Sequence, residues 1–162
     1  MKPLIFTTLS LVMLAGHSMA QGTQVAFGSA PQDTSQPVEI TSENLSIDQE
    51  AGTALFTIDV VVVQGDMTLT APEVLVFYNE EKSEIDLIEA TGGVTLVSGL
   101  DEAESERADY TVEEGVIVMT GDVVLNQGFS TAMSNEMVVL LDEGTATMTG
   151  RVRTILKQGG DE

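Results

Sequence analysis

The chain has no cysteine and no tryptophan, six basic residues against 26 acidic ones, and a single histidine in 162 residues. Each shortage removes a class of function. Without cysteine there is no disulfide, no thiolate nucleophile or metal ligand, and no cysteine-linked lipid anchor, so stability must come from burial and backbone pairing. The one histidine, His17, falls in an N-terminal leader, which leaves the rest of the chain without a Ser-His-Asp or Cys-His arrangement or a histidine zinc site. A formal net charge of −20 repels phosphates, which disfavours nucleic acid and purely electrostatic attachment to anionic headgroups. Its plainest role is solubility. Aromatic residues make up 4%, too few for the sugar platforms that usually accompany paired catalytic carboxylates. The acidic run Asp101-Glu102-Ala103-Glu104-Ser105-Glu106 lacks the spacing of a calcium loop and reads as a solvated segment. The expectation is a protein that is not an enzyme and carries no cofactor or metal.

The leader is what the first 20 residues supply. Lys2 gives a positive start, residues 4–15 are uncharged and mostly apolar, and Ser18-Met19-Ala20 is a small-x-small cleavage site. The apolar run is shorter than the roughly 20 residues a bilayer-spanning helix needs. We therefore expect an exported chain cleaved near Ala20, soluble, with five basic and 26 acidic residues remaining. Residues 21–36, rich in Gly, Ser, Gln and Pro without periodicity, read as a flexible N-terminal segment, and residues 158–162 as a flexible tail.

Between these lies an internal repeat. Small residues recur at Ser42, Ala71, Ser105 and Ser134. Three positions after each come Leu45, Val74, Ala108 and Met137, and five after come Ile47, Val76, Tyr110 and Val139, the period-2 spacing of a strand. A second marker is threonine at 57, 91, 120 and 149. It opens Thr91-Gly92-Gly93-Val94, Thr120-Gly121-Asp122-Val123 and Thr149-Gly150-Arg151-Val152, whereas the first copy, Thr57-Ile58-Asp59-Val60, lacks the glycine. A third marker, Gly65, Gly99 and Gly128, ends each second strand. The period is about 29 residues, with one copy lengthened in the polar turn at 79–84. With Val, Ile, Thr and Met enriched and no helical period after residue 20, the fold class is all-β, a stack of strand-turn-strand units.

The alternation defines one apolar face: Phe56, Ile58, Val60, Val62, Met67, Leu69, Val94, Leu96, Ile117, Met119, Val123, Leu125, Met137, Val139, Leu141, Met148 and Val152. The other face carries Thr57, Asp59, Thr68, Thr70, Thr95, Thr120, Asp122, Thr147 and Thr149. That is the pattern of a sheet wet on one side. An inner face of thin, flexible aliphatic side chains suits alkyl chains, but an ordinary close-packed core needs the same residues, and the pattern leaves both open. A stack also has two ends with unpaired backbone. Arg151, Arg153 and Lys157 crowd one end and Glu39, Glu43, Asp48 and Glu50 the other. This fits a head-to-tail contact or basic residues guarding an edge strand.

The strings Pro37-Val38-Glu39-Ile40-Thr41-Ser42, Ala54-Leu55-Phe56-Thr57, Val60-Val61-Val62-Val63-Gln64-Gly65 and Met67-Thr68-Leu69-Thr70-Ala71 resemble the OstA-like domain of the LptA family. So do Ala90-Thr91-Gly92-Gly93-Val94 and Met119-Thr120-Gly121-Asp122-Val123-Val124-Leu125. The likeness runs over residues 37–156. It implies an open, twisted β-jelly roll over 37–157 in the periplasm. It implies a bridge for lipopolysaccharide, whose lipid A acyl chains lie in a groove formed by the seventeen inward residues. It also implies head-to-tail self-association and contacts with an inner-membrane LptC-like protein and an outer-membrane LptD-like barrel. The missing glycine at Ile58, the longer turn at 79–84 and the acidic charge depart from the family's pattern. The alternative is a non-catalytic β-repeat scaffold with a fully packed core.

Overall fold

A computed structural model describes residues 22–79, 81 and 84–156. The leader, Lys157 and the tail lie outside the described residues. The described residues are all-β, with eleven strands in one open antiparallel sheet. They are β1 (Thr23–Ala26), β2 (Glu39–Thr41), β3 (Asn44–Asp48), β4 (Thr53–Gln64), β5 (Met67–Tyr78), β6 (Ile85–Ser98), β7 (Asp101–Thr111), β8 (Val116–Gln127), β9 (Ser130–Leu140), β10 (Thr145–Thr149) and β11 (Arg153–Leu156). From β4 to β9 each strand pairs with the next in sequence, as the spacing of hydrophobic runs and short turns requires.

Gly65, Gly99 and Gly128 fall in the hairpins between the long strands, whereas the markers Thr57, Thr91 and Thr120 and the small residues Ala71, Ser105 and Ser134 fall within the strands. Every pairing from β4–β5 to β8–β9 slips register there: at Thr57/Val60, Thr70/Glu73, Thr91/Val94, Glu104/Arg107 and Thr120/Val123. A bulge bends its strand and sharpens the local twist. A row of aligned bulges therefore folds the whole sheet along one line. The ends of the sheet confirm the division. β3 pairs with Thr53–Thr57 of β4 and β2 with Val61–Val63, while β10 and β11 take opposite ends of β9. Two sheet halves thus face each other like the sides of a V.

At the corner both residues after each threonine have positive φ: Ile58 67° and Asp59 52°, Gly92 93° and Gly93 100°, Gly121 84° and Asp122 45°, Gly150 77° and Arg151 53°. Glycine enters this region freely, and a β-branched side chain there is an outlier. Ile58 therefore holds by strain the shape that glycine gives the other three corners.

One core fills the V. It combines Val60, Val62, Met67, Leu69, Val94, Leu96, Val123 and Leu125 from one half with Val74, Val76, Ile88, Ala108, Tyr110, Ile117, Met119, Met137, Val139 and Met148 from the other. Each large aliphatic side chain so buried contributes about 1.5–3 kcal/mol.

Candidate functional site

The interior of the V is the place where this chain can do chemistry or recognition, and its four boundaries are unlike one another. Among the described residues no group of three or more acidic or histidine side chains is placed to hold a metal ion. The interior instead offers apolar surface. At a strand spacing of about 4.8 Å, the nine strands of the longer half make a channel-shaped core roughly 38 Å long, between sheets about 10 Å apart.

The structure places the seventeen inward candidates as follows. Val60, Val62, Met67, Leu69, Val94, Leu96, Ile117, Met119, Val123, Leu125, Met137, Val139, Leu141 and Met148 are all buried in the core, and Phe56 packs partly buried against it. Val152 is 37% exposed; the strand it leads into, β11, pairs among the described residues with β9 alone. Ile58 is a correction to the inward assignment. It is 49% exposed and sits over the outside of the corner beside Asp59, Pro72 and Glu73. Alternation fails there because the bulge inserts residues 58 and 59 between the paired Thr57 and Val60. The alternation also missed part of the interior. Ala54, Ile88, Ala90, Ala103 and Ala146 are equally buried, and most are too small to register as an apolar stripe.

The closed side of the V is the corner itself. The two ends are open sheet edges: β2 and β3 at one, β1 and β11 at the other. Leu45 and Ile47 lie exposed on β3, opposite Phe56 and Ala54. They take the phase that is buried in every later copy, with no further strand to cover them. At the other end a cavity of about 210 Å³ opens between the sheet halves, lined by Val25, Leu125, Ala132, Met148, Val152 and Leu156 among others. Elsewhere the inward side chains are packed, Val74, Leu96, Ile117, Met119 and Val123 each being 0% exposed.

The fourth boundary is the mouth of the V, and here the structure overturns the reading of residues 21–36 as a loose segment. Residues 23–26 form β1 on the free edge of β10, and residues 27–36 then run as a strap along the mouth, bonded to both halves. The backbone N–H groups of Phe27 and Gln32 donate to the carbonyls of Gly144 and Leu141 at 2.9 and 2.8 Å. Thr34 Oγ1 donates to Asp142 Oδ1 at 2.8 Å. On the opposite half, Gly28 N donates to Asp101 Oδ2 at 2.8 Å, and Gln32 Nε2 donates to Ser98 Oγ at 2.9 Å. Gln64 Nε2 donates to the carbonyls of Thr34 and Gln36, both at 2.8 Å, and Gln127 Nε2 to that of Ala26 at 2.7 Å. Phe27, 1% exposed, is the strap's apolar plug.

Behind the strap, Tyr110 donates its hydroxyl to Gln64 Oε1 across the V. Burial pushes the phenol up to about 12, with Asp142 adding to the rise and the Gln64 bond opposing it. On the outer face Arg107 pairs with Glu89 and Asp109 at 2.8 and 2.7 Å. The hydrogen bond that Arg107 donates to Asp109 leads the causes that raise the guanidinium pKa.

Comparison with known proteins gives this architecture relatives. Residues 39–145 match the family model described as LptA/(LptD N-terminal domain) LPS transport protein. An uncharacterised protein of Rhizobium meliloti is 31% identical over 118 residues, 68% of this chain and 63% of the relative. The lipopolysaccharide export system protein LptA of Haemophilus influenzae is 38% identical over 71 residues, 43% of this chain and 41% of that protein. The chain thus spans less than two thirds of the length of either relative. The crystal structure of LptH, the LptA homologous periplasmic component of the lipopolysaccharide transport device of Pseudomonas aeruginosa, shares the fold. Its TM-score is 0.70 at 17% identity, over 79% of this chain and all of that one.

Proposed function

The chain belongs to the LPS transport family of LptA and the LptD N-terminal domain, and from that premise we propose that it is a periplasmic bridge element that holds lipopolysaccharide by its acyl chains between the two sheet halves. The observation that carries this reading is the interior: one continuous aliphatic core bounded at both ends by unpaired sheet edges. Each methylene moved out of water there contributes about 0.8 kcal/mol, whereas an exposed charge pair contributes about 1 kcal/mol or less. Apolar burial therefore outweighs repulsion between an acidic protein and lipid phosphates.

The edges support the assembly half of the reading. β2 and β3 offer backbone donors and acceptors beside Glu39, Glu43 and Asp48, and β11 offers them beside Arg151 and Arg153. Head-to-tail stacking of copies would pair the edges and continue the apolar interior from one to the next. LptC-like and LptD-like partners would dock on the same two ends. Cleavage near Ala20 and export place the chain in the periplasm on this reading, with 37–157 as the transport domain.

The packed state of the interior favours the scaffold alternative and sets the test. The 210 Å³ cavity is below the roughly 300 Å³ at which ligand pockets begin, so side chains or the strap must move for a lipid to enter. The protein is expressed in a Gram-negative host, purified, extracted with organic solvent, and the extract analysed for lipid A. Co-purified lipid A, or saturable uptake of added lipopolysaccharide, is the expected outcome. Absence of both selects the scaffold.

A further inference from the structure

The alternating residues of β4, β6 and β8 run apolar from the corner and then stop being so at the mouth: Val60, Val62, Gln64; Val94, Leu96, Ser98; Val123, Leu125, Gln127. Gln64, Ser98 and Gln127 are equivalent repeat positions, each preceding a hairpin glycine, and each points its polar group at the strap. Gln64 and Ser98 are buried. A buried amide or hydroxyl in this position costs stability unless it is bonded; Gln64 and Ser98 are bonded to the strap, and Gln127 to Ala26, the β1 residue from which the strap starts.

Three of their partners are peptide carbonyls: Gln64 donates to those of Thr34 and Gln36 and Gln127 to that of Ala26, while Ser98 Oγ accepts from the carboxamide N–H of Gln32. Gln127 also donates to Asp101 Oδ2 at 2.9 Å, which accepts from Gly28 N as well. Below this polar row lies aliphatic core, and above it is solvent. A molecule with neutral carbonyls set at the head of alkyl chains has that same order of groups.

We propose that Gln64 and Gln127, with the Ser98 hydroxyl between them turning to donate, form a binding row for the ester and amide carbonyls that head the acyl chains, and that Ala26 and strap residues 27–36 occupy this row as an internal stand-in for the ligand. The inference rests on the acyl-chain reading above and adds the route: lipid enters from the side, through the mouth, as the strap leaves. The strap is suited to leaving. Its hold on the mouth is mostly a set of single hydrogen bonds, each modest because water replaces it on release, with Phe27 as the one buried apolar side chain.

The first test is amide hydrogen exchange in the wild-type chain with and without purified lipopolysaccharide. The amides of Phe27 and Gln32, protected by Gly144 and Leu141, should exchange at least tenfold faster with lipid bound, while those in the middle of β8 stay protected. Unchanged or slower exchange at both, in samples that demonstrably bind lipid, overturns the proposal. Failure to bind lipid at all is a different result, since it removes the acyl-chain reading and this proposal with it.

The second test locks the strap. A Cβ built at Gly99 lies 3.2 Å from that of Ser29, a few tenths short of disulfide geometry, and the natural chain has no cysteine to compete. Oxidised Ser29→Cys/Gly99→Cys protein should lose at least tenfold in lipopolysaccharide affinity and recover it on reduction. Equal binding in both redox states refutes the displacement. Position 99 has a left-handed φ of 61°, so if the reduced variant fails to bind, the wild-type exchange result decides. A third variant, Gln32→Ala, weakens only the stand-in and should raise affinity about threefold or more. A fall would contradict competition between strap and lipid.

Discussion

The two long sides of the V are closed in opposite ways. At the corner the backbone itself turns, the same strands continuing from one half to the other through left-handed residues. At the mouth a separate stretch of chain bridges the halves through side-chain amides, a hydroxyl and two main-chain bonds. The corner cannot open without breaking strands. The mouth can open by exchanging hydrogen bonds with water. On the proposed function, a protein that holds and releases a long apolar ligand would gain from having one side of each kind.

Substitutions that strike the two sides differently sharpen this contrast. The largest effect is expected between them: Leu125→Asp places a carboxylate in the buried core shared by both halves and should cost more than about 4 kcal/mol. Urea denaturation of this variant should show little or no folded baseline. A near-normal midpoint would mean that the sheet face is reversed.

At the corner, Gly121→Val combines a φ of 84° with a Cβ 2.8 Å from that of Glu106. It should destabilise by about 2–4 kcal/mol, and a midpoint within error of wild type would dissolve the distinction between the sides.

At the mouth, Tyr110→Phe removes the bond to Gln64 and should cost about 1–2 kcal/mol near neutral pH. It also removes an alkaline sensitivity. Because the folded phenol is raised from 10 to about 12, its contribution is complete below pH 10. It fades as pH rises towards 12, since the unfolded chain ionises first. Two units correspond to about 2–3 kcal/mol. Stability curves for wild type and variant should therefore converge and then cross as pH rises from 10 to 12; parallel curves would count against this assignment.

The smallest effect is a gain. Ile58→Gly relieves the one β-branched corner, and the relief of about 1–2 kcal/mol is partly offset by the added freedom of glycine in the unfolded chain. A net rise of about 0.5–1 kcal/mol in the same urea measurement is expected. A loss would show that the exposed Ile58 side chain makes contacts worth more than the strain.

Much of this was legible in the sequence because a repeat reports the same position several times. Thr-Gly recurring at 91, 120 and 149 marked the repeat, although its place at the corner came only from the structure, and the period-2 stripe in β8, Ile117 to Leu125, marked the interior. Ile58 was misread because alternation was carried straight through a bulge. The strap was illegible for a different reason. Its residues show no period, and its bonds reach partners 28 to 117 positions away through single polar groups, which leave no trace in a hydrophobic pattern. One signal was present and unused: Gln64, Ser98 and Gln127 are polar residues standing in the inward phase, where a polar side chain needs a partner.

The most direct measurement uses neighbours on opposite faces of β8. Met119 lies fully buried in the interior and Val118 on the outer face. A photoreactive side chain is placed at each position in turn and irradiated in a Gram-negative host. The account predicts a lipopolysaccharide adduct at 119 and none at 118. Adducts at 118 alone, or at neither position in folded protein supplied with lipopolysaccharide, would contradict it.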